Sequence, residues 1–164
     1  LDISYELKLD PQQLMAIMRY ENGGNWNADR GGIRDEKTNE IKDVTAKASG
    51  IISFTDDYIA QYNIIKKTAI TRTDLAKMTQ LEQLEIVRVY TKWVIDWKGP
   101  IKSMDDMYMA VHMPKYVGTS SDTEIHKKGS KYWDSNKGMD TNKDDKVTKS
   151  EAAAGASKWY KTNQ

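Results

Sequence analysis

The chain has 164 residues, a length typical of one domain or of one domain with a small appendage. Charged residues make up 30% and hydrophobic residues 38%, a balance that indicates a globular protein, and 25 Lys and Arg against 24 Asp and Glu leave no overall charge to favour nucleic acid. The absence of cysteine excludes disulfides, thiolate catalysis and Cys-ligated zinc, and two histidines alone argue against a His-rich metal site.

The N-terminal segment, LDISYELKLD, lacks the basic and apolar regions of a signal peptide. It also lacks an initiator Met, so we expect a processed chain or a piece of a longer one. No apolar run approaches the roughly 20 residues that a helix needs to cross a bilayer. We therefore expect no membrane partner.

The first strong helix signal begins at Asp10. This residue can cap a helix, and Pro11 suits the first helical position. Residues 12–21 place apolar side chains on roughly one face, and Gly23-Gly24 supplies a stop. The pattern predicts a helix that closes at Glu21.

The next stretch, residues 22–49, is polar and rich in glycine. It predicts an ordered loop with a short hairpin around Lys37 to Glu40. A brief apolar stretch at residues 50–54 then leads into Thr55, which predicts the cap of a helix through Ile65.

The strongest helix signal follows Thr79. Thr79 and Glu82 form a capping-box pattern, and an apolar stripe continues to the stop at Gly99-Pro100. We expect this stripe to face the core, and its members are Leu81, Leu84, Val87, Trp93, Val94 and Trp97.

Two further helices are predicted towards the C-terminus. Ser103 and Asp106 repeat the capping signal ahead of a helix that stops at Pro114. Beyond it the composition shifts to Lys, Ser, Asp and Asn, and a final helix is predicted over residues 150–160. Alternating strand patterns are scarce, so the predicted fold class is mainly α.

Glu21 is the first candidate for chemistry. A carboxylate at a helix C-terminus faces the negative end of the helix dipole, which disfavours ionisation and raises the pKa. A raised pKa suits a general acid, which must hold a proton near neutral pH. Trp26, a few positions later, can supply an apolar wall; the alternative is a solvated surface glutamate.

The segment MAIMRYENGGNWNADRGG, followed by ASGIISFT, resembles the active-site region of the lysozyme-like lytic transglycosylases. In that family a helix ends in Glu, an aromatic residue follows, and a Gly-Leu-Met/Ile-Gln-Phe segment lines the cleft. The stretches TQLEQLEIVRVY and SMDDMYMAVHMPKYVG resemble later helices of the versions carried by tailed bacteriophages. Asn22 stands where Ser is common, and Ser53 stands where Gln is common.

The resemblance implies a lysozyme-like helical domain over residues 1–118, with residues 119–164 as a C-terminal extension packed with it. It also implies the reaction. Glu21 would protonate the oxygen between N-acetylmuramic acid and N-acetylglucosamine, and the substrate's acetamido group would stabilise the oxocarbenium-like centre. Glu21 would then take the proton of the muramoyl C6 hydroxyl, which closes a 1,6-anhydro ring.

A hydrolytic muramidase of the goose-type lysozyme class shares this fold and remains open. It needs a second acid facing Glu21 across roughly 6.5–9.5 Å. Asp29, Asp35 and Asp43 lie in the loop and are candidates for that role. Asp56 and Asp57 start a predicted helix, where acidic residues are favoured by the dipole, so we interpret them as structural.

Sugar rings stack on aromatic faces, and their hydroxyls need donors and acceptors. Position in the matched motif makes Asn22, Trp26, Ser53 and Phe54 the candidate contacts with the glycan. Tyr108 and His112 are added because the family's corresponding helix carries an aromatic residue that lines the cleft. Each of these residues also has an ordinary packing interpretation, because Phe54 and Tyr108 lie within apolar stretches and a lone His is usually a packing or surface residue.

Residues 140–151 fit the twelve-residue calcium loop of an EF-hand. The predicted ligands are Asp140, Asn142, Asp144, the carbonyl of Lys146, Thr148 and a bidentate Glu151. Val147 is the apolar residue of the short strand in such loops. Asp145 replaces the usual glycine at the sixth position, where a positive φ is typical and where Asp is tolerated better than most residues.

A single loop of this kind favours a stabilising calcium clamp over a switch, and no organic cofactor is expected. Phage transglycosylases of this type often end in such a loop, which extends the match to about Ala156. The resemblance implies a domain of a phage virion or tail, acting in the host periplasm or cell wall, with peptidoglycan glycan strands and possible tail proteins as partners. A calcium-stabilised glycan-binding module with an inactive site is the alternative outside enzymes.

Overall fold

A computed structural model describes residues 3–24, 26–44 and 48–162 of the chain. Its helices and strands, in chain order, are α1 (Ile3–Leu7), α2 (Pro11–Asn22), β1 (Gly32–Arg34), β2 (Ile41–Val44), α3 (Asp56–Lys66), α4 (Arg72–Lys77), α5 (Gln80–Lys98), α6 (Met104–His112), β3 (Glu124–Lys127), α7 (Trp133–Asn136), β4 (Lys146–Thr148) and α8 (Lys149–Thr162). Short 3-10 turns lie at Pro114–Tyr116 and Lys137–Met139. Helix predominates, which confirms the predicted mainly α class. Over the described ranges, none of the helices has the length and apolarity needed to cross a membrane.

The predicted capping residues begin their helices as expected. Asp10 accepts a hydrogen bond from the Gln12 amide at 2.8 Å, and Thr55 caps α3 through the Tyr58 amide. At α5 the exchange is reciprocal, since Thr79 Oγ1 accepts from the Glu82 amide and Glu82 accepts from the Thr79 amide. Local side chains therefore satisfy the amides that a helix start leaves unpaired.

Three short helices, α1, α4 and α7, lie where the sequence predicted none. The start of α4 carries a full capping box, because Thr71 and Asp74 exchange side-chain and backbone hydrogen bonds. The helix that follows has only six residues, too few for an apolar stripe to be recognised.

The predicted hairpin is formed by β1 and β2, which pair antiparallel with an irregularity after Ile33. The carboxylate of Asp35 accepts hydrogen bonds from the amides of Lys37 and Thr38, at 2.9 and 3.0 Å. These two bonds lower the pKa of Asp35 below its ordinary value. Asn39 closes the turn at a φ of 59°.

The chain forms two compact units, one comprising Met18–Trp93 and the other comprising residues 3–17 and 94–162. The division passes through α2 and α5. These units differ from the division predicted from the sequence, which separates a catalytic region at residues 1–118 from an extension at residues 119–164. The predicted division describes function and not compactness, and it stays a prediction.

The first unit is built around the buried turn after Ser49 and the side chains that cover it. Its buried hydrophobic residues include Met18, Ile51, Ile52, Phe54, Tyr58, Ile59, Leu75, Ile86, Val87 and Tyr90. Tyr58 packs edge-on against Phe54 and face-to-face with Tyr90. A smaller cluster of Ile41, Val44 and Ala76 joins the hairpin to α4.

In the second unit α8 packs against α6. The α8 face includes Ala152, Ala153 and Ala156, which are fully or almost fully buried. Small side chains allow close packing of helices. The β3–β4 hairpin is antiparallel, and Val147 in β4 has no exposed surface.

The predicted stripe of α5 is wrong at both ends. Leu81 is 77% exposed and Trp97 is 54% exposed. Within the part of α5 that belongs to the first unit, Gln83 is instead fully buried. A polar side chain on a buried helix face requires hydrogen-bond partners, and Gln83 has three.

Candidate functional site

Glu21 lies in the last turn of α2, as predicted, and is partly exposed. Gly23 and Gly24 follow at φ values of 68° and 82°, and the Gly24 amide returns to the Arg19 carbonyl at 3.0 Å. This left-handed exit ends the helix directly after the candidate acid. Burial, and then the negative charge of Glu21, raise the pKa of neighbouring Tyr20 above its ordinary value.

The backbone carbonyl of Glu21 is held by two side chains from separate segments. Ser53 Oγ donates to it at 2.8 Å, and Arg30 Nη1 donates to the same oxygen. Arg30 Nη1 also lies 3.0 Å from Ser53 Oγ. The end of α2, the loop before β1 and the turn at residues 49–54 therefore meet at this carbonyl.

Asn22 and Gln83 attach the same turn from two further directions. Asn22 is 3% exposed; its Oδ1 accepts from the Gly24 amide at 2.9 Å, and its Nδ2 donates to the Ile51 carbonyl at 3.4 Å. Gln83 accepts from the Ile51 amide at 3.0 Å and donates to the carbonyls of Ala28 and Leu75. The polar groups of both side chains are thus engaged within the protein.

Gly50 explains why the turn is so compact. Its φ is 75°, and a Cβ there would lie 2.6 Å from Gln83 Oε1 and 2.8 Å from side-chain carbons of Leu75 and Phe54. All three neighbours are fully buried. The position therefore accepts only glycine without a rearrangement of the core.

Besides Asn22, three predicted glycan contacts belong to the first unit, and they differ in how much of their surface is exposed. Phe54 has no exposed surface, and its amide and carbonyl pair with Ser49, so it is a core residue of the turn. Ser53 is partly exposed at a φ of 55°, and its hydroxyl is engaged at Glu21. Trp26 is partly exposed at a φ of 54°, and its carbonyl accepts from Gln80 Nε2. Trp26 therefore retains exposed surface, as does Tyr20 of the same motif.

The acidic residues considered for a hydrolase each have a local partner. Asp29 pairs with Arg34, Asp35 binds the hairpin amides, and Asp43 accepts from the Val44 amide. Asp56 pairs with Arg72 at 2.5 Å. A second acid for a hydrolytic mechanism stays a hypothesis.

Tyr108 and His112 belong to the second unit, on α6. Tyr108 is 2% exposed and stacks on His112 with ring centroids 5.4 Å apart. His112 Nε2 lies 3.1 Å from Nε2 of His126 on β3, and His126 is 3% exposed. At this distance the two ring nitrogens form a hydrogen bond in which one Nε2 donates and the other accepts.

Burial, and then the charge of His126, lower the pKa of His112 to about 4. Burial, and then the charge of Lys115, lower the pKa of His126. Because unfolded histidines titrate near pH 6.5, the folded state binds fewer protons below that pH. Stability should therefore fall as the pH drops from about 6.5 to 4, by roughly 3 kcal/mol from His112.

Urea denaturation at pH 7 and pH 4.5 measures this difference. Carboxylates also titrate near the lower pH, so the matched control is His112→Phe, which keeps a ring against Tyr108 and removes the titrating group. We expect the variant to lose much of the pH dependence. An equal difference in both proteins would show that His112 does not contribute.

The predicted calcium loop has the local conformation expected for it. The carboxylate of Asp140 accepts from the amides of Asp144 and Asp145, at 3.2 and 3.1 Å. Asp144 accepts from the Lys146 amide at 3.1 Å. Asp145, at the sixth position, has a φ of 65°, which confirms the predicted positive φ. Its carboxylate pairs with Lys128 at 3.0 Å.

Glu151 closes the loop from the first turn of α8. One of its oxygens accepts from Thr141, and the other accepts from the amide and hydroxyl of Thr148 at 2.9 and 2.8 Å. The carboxylate thus bridges the first and last parts of the loop. Thr148 and Glu151 also form the predicted capping box.

Over residues 3–24, 26–44 and 48–162, no group of three or more His, Cys, Asp and Glu side chains lies together as a metal centre would require. Of the six predicted calcium ligands, Asp140, Asp144 and Glu151 belong to these residue types. The other donors are amide, hydroxyl and backbone carbonyl oxygens, which calcium accepts. The oxygen-only donor set and the loop conformation fit a hard divalent cation, and binding stays a prediction.

Arg30 and Gln83 were not identified from the sequence. Arg30 lies in a polar loop, and its contacts reach 9 and 23 residues along the chain, so no local pattern points to it. Gln83 carried only a weak signal, because Ile86 and Val87 lie one turn further along the same face of a strongly predicted helix.

Comparison of the sequence with models of known protein families and with curated proteins finds no match. The resemblance to the lytic transglycosylases therefore rests on the motif residues themselves and stays a prediction.

Proposed function

We propose that this protein is a peptidoglycan lytic transglycosylase with Glu21 as its acid and base. The observation that supports it best is the junction at the end of α2. A glutamate in the last helical turn has its backbone fastened to the turn at residues 49–54 by Ser53 and Arg30. A general acid needs such a fixed position relative to the bond it protonates.

In the proposed reaction Glu21 starts protonated and gives its proton to the bridging oxygen between the two sugars. The acetamido group of the muramoyl residue stabilises the positive charge that develops at C1. The Glu21 carboxylate then removes the proton from the C6 hydroxyl, and the C6 oxygen bonds to C1. The products are a free sugar end and a 1,6-anhydro end, and Glu21 regains its proton.

The proposed partner is the glycan strand of peptidoglycan, and the proposed setting is a phage virion or tail that opens the host wall. The lysozyme-like fold is part of this proposal, supported by a helix that holds Glu21 in its last turn and by the small hairpin that follows it. Within the first unit, Trp26 is a partly exposed aromatic side chain that a sugar ring could stack on. The glycan contacts assigned to Tyr108 and His112 stay predictions.

Mass spectrometry of digested peptidoglycan tests the reaction. We expect fragments that end in 1,6-anhydro-muramic acid, one water lighter than hydrolysis products. Reducing muramic acid ends alone would replace the transglycosylase with a hydrolytic muramidase. Intact peptidoglycan after prolonged incubation would favour the inactive glycan-binding module.

We also propose that the loop at residues 140–151 binds calcium as a structural ion. Its holders would be Asp140, Asn142, Asp144, the Lys146 carbonyl, Thr148 and Glu151. When bound, the ion would neutralise the carboxylates of the loop and join the loop to the start of α8.

Adding EDTA should lower the melting temperature relative to saturating calcium. A ligand present at about 100 times its Kd stabilises the folded state by about 2.7 kcal/mol, which corresponds to a shift of about 5 °C or more for a chain of this size. Differential scanning calorimetry measures the shift.

Asp144→Asn is the matched control, because an amide oxygen can still accept from the Lys146 amide while one negative charge is lost. Its melting temperature in EDTA should match the wild type, and its gain with calcium should be smaller. Identical wild-type melting curves with calcium and with EDTA would refute the site.

A further inference from the structure

The carbonyl of Glu21 receives more side-chain hydrogen bonding than an ordinary helix end. The last carbonyls of a helix have no partner within the helix, and a cationic donor is favourable there because it faces the negative end of the dipole. Arg30 supplies this cation, and Ser53 supplies a neutral donor to the same oxygen. Arg30 also lies 3.0 Å from Ser53 Oγ, so the three groups form a closed set.

We infer that Arg30 is a positioning residue, which fixes the Glu21 backbone and through it the direction of the carboxyl group. This inference rests on the proposed function and assigns Arg30 no contact with the reacting atoms. The carbonyl and the side chain of Glu21 share one Cα, so tilting of this peptide would move the carboxyl group. A misplacement of about 1 Å can cost roughly a hundredfold in rate.

A further direct bond from the end of α2 to this turn is longer. Asn22 Nδ2 and the Ile51 carbonyl are 3.4 Å apart, near the limit for a hydrogen bond. Gln83 binds the far side of the turn and makes no bond to α2 among its described partners. Among these described bonds, those of Arg30 and Ser53 are the ones that hold the Glu21 carbonyl itself.

Arg30 is itself exposed, which separates its role from that of a core residue. Its loss removes a hydrogen bond and a charge at the helix end but leaves no cavity. A positioning role predicts a lower kcat with little change in KM, whereas direct binding of substrate predicts a higher KM.

The test measures kcat and KM on soluble peptidoglycan glycan strands for Arg30→Gln, Arg30→Lys and Ser53→Ala. We expect Arg30→Gln to lower kcat 10-fold to 100-fold, with KM within threefold of the wild type. Arg30→Lys, which keeps a cationic donor, should recover at least part of that loss. Ser53→Ala should lower kcat less, because Arg30 still holds the carbonyl.

Arg88→Gln is the matched control. Arg88 is an arginine of the same unit that pairs with Glu85 on its own helix, and its loss removes the same charge. Its kcat and KM should equal those of the wild type. Melting temperatures of all variants show whether a loss of rate follows a loss of folded protein.

An Arg30→Gln variant as active as the wild type would overturn the inference, and so would a rise in KM at constant kcat. A loss that only follows the folded fraction, with no recovery in Arg30→Lys, would overturn it as well. If the wild type is active and Glu21→Gln is inactive in the same assay, these results overturn the role of Arg30 and leave the proposed function in place. An inactive wild type would instead refute the proposed function, and the inference with it.

Discussion

Replacing Glu21 by Gln should reduce peptidoglycan cleavage by about a thousandfold, since positioned acid–base groups contribute roughly 10²–10⁴ in rate. Glutamine keeps the size of the side chain and cannot supply or remove the proton. The change leaves the backbone carbonyl, with its bonds from Ser53 and Arg30, in place. Release of soluble fragments from purified peptidoglycan measures the effect.

Glu36→Gln is the control for this experiment. Glu36 is an exposed glutamate in the turn between β1 and β2, and the change removes the same charge from the same unit. The control should cleave like the wild type, and both variants should melt like it. If Glu21→Gln clears peptidoglycan as fast as the wild type does, the reaction does not run through Glu21.

Replacing Lys149 by Met should destabilise the folded state by about 3–5 kcal/mol, because a buried ion pair that loses one partner leaves an uncompensated charge. Lys149 is 1% exposed, and its Nζ lies 2.5 Å from Asp106 Oδ1 and 2.8 Å from the Thr119 carbonyl. This pair joins the start of α8 to the start of α6. Urea denaturation at pH 7 measures the loss.

The pH dependence of that loss identifies its cause. Burial acts to raise the pKa of Asp106, but the bond from Lys149 and the amide of Gly118 hold it below its ordinary value. Without the lysine, burial prevails and protonation relieves the unpaired charge. The difference from wild type should therefore shrink as the pH falls towards 4.

The double variant Asp106→Asn with Lys149→Met is the matched control. Asparagine keeps an oxygen for the Gly118 amide, which bonds Asp106 at 2.8 Å, and carries no charge. We expect it to recover most of the lost stability. A double variant as unstable as Lys149→Met would assign the loss to packing around the lysine stem instead.

The prediction of α5 shows where periodicity fails. Its start and end were predicted correctly, because Thr79, Glu82 and Gly99 act on neighbouring residues. Which side chains of the helix are buried depends on which other segments pack against each of its faces. The hydrophobic effect is non-directional, so an apolar stripe alone does not show how far along the helix the neighbouring segments extend. Leu81 and Trp97 lie at the ends of the stripe, and both are exposed.

The Asp106–Lys149 pair shows the same limit for charged residues. The sequence predicts Asp106 only as part of the capping signal at the start of a helix. Its carboxylate instead binds Lys149, 43 residues away, and the amide of Gly118. A lysine in a polar, charged stretch gives no sign that its side chain is buried, because the partner that makes burial tolerable is distant in sequence.

The sequence alone predicted the helix ends, the hairpin turn and the calcium-type loop at residues 140–151. Their hydrogen bonds span only a few positions, so neighbouring residues determine them. Glu21 as the last acidic residue of its helix belongs to this group. The anchoring of its carbonyl does not, because Arg30 and Ser53 reach it from 9 and 32 residues away. The burial of Gln83, Lys149 and the histidine pair was likewise decided by the tertiary structure, because contacts between distant segments form only when the chain has packed.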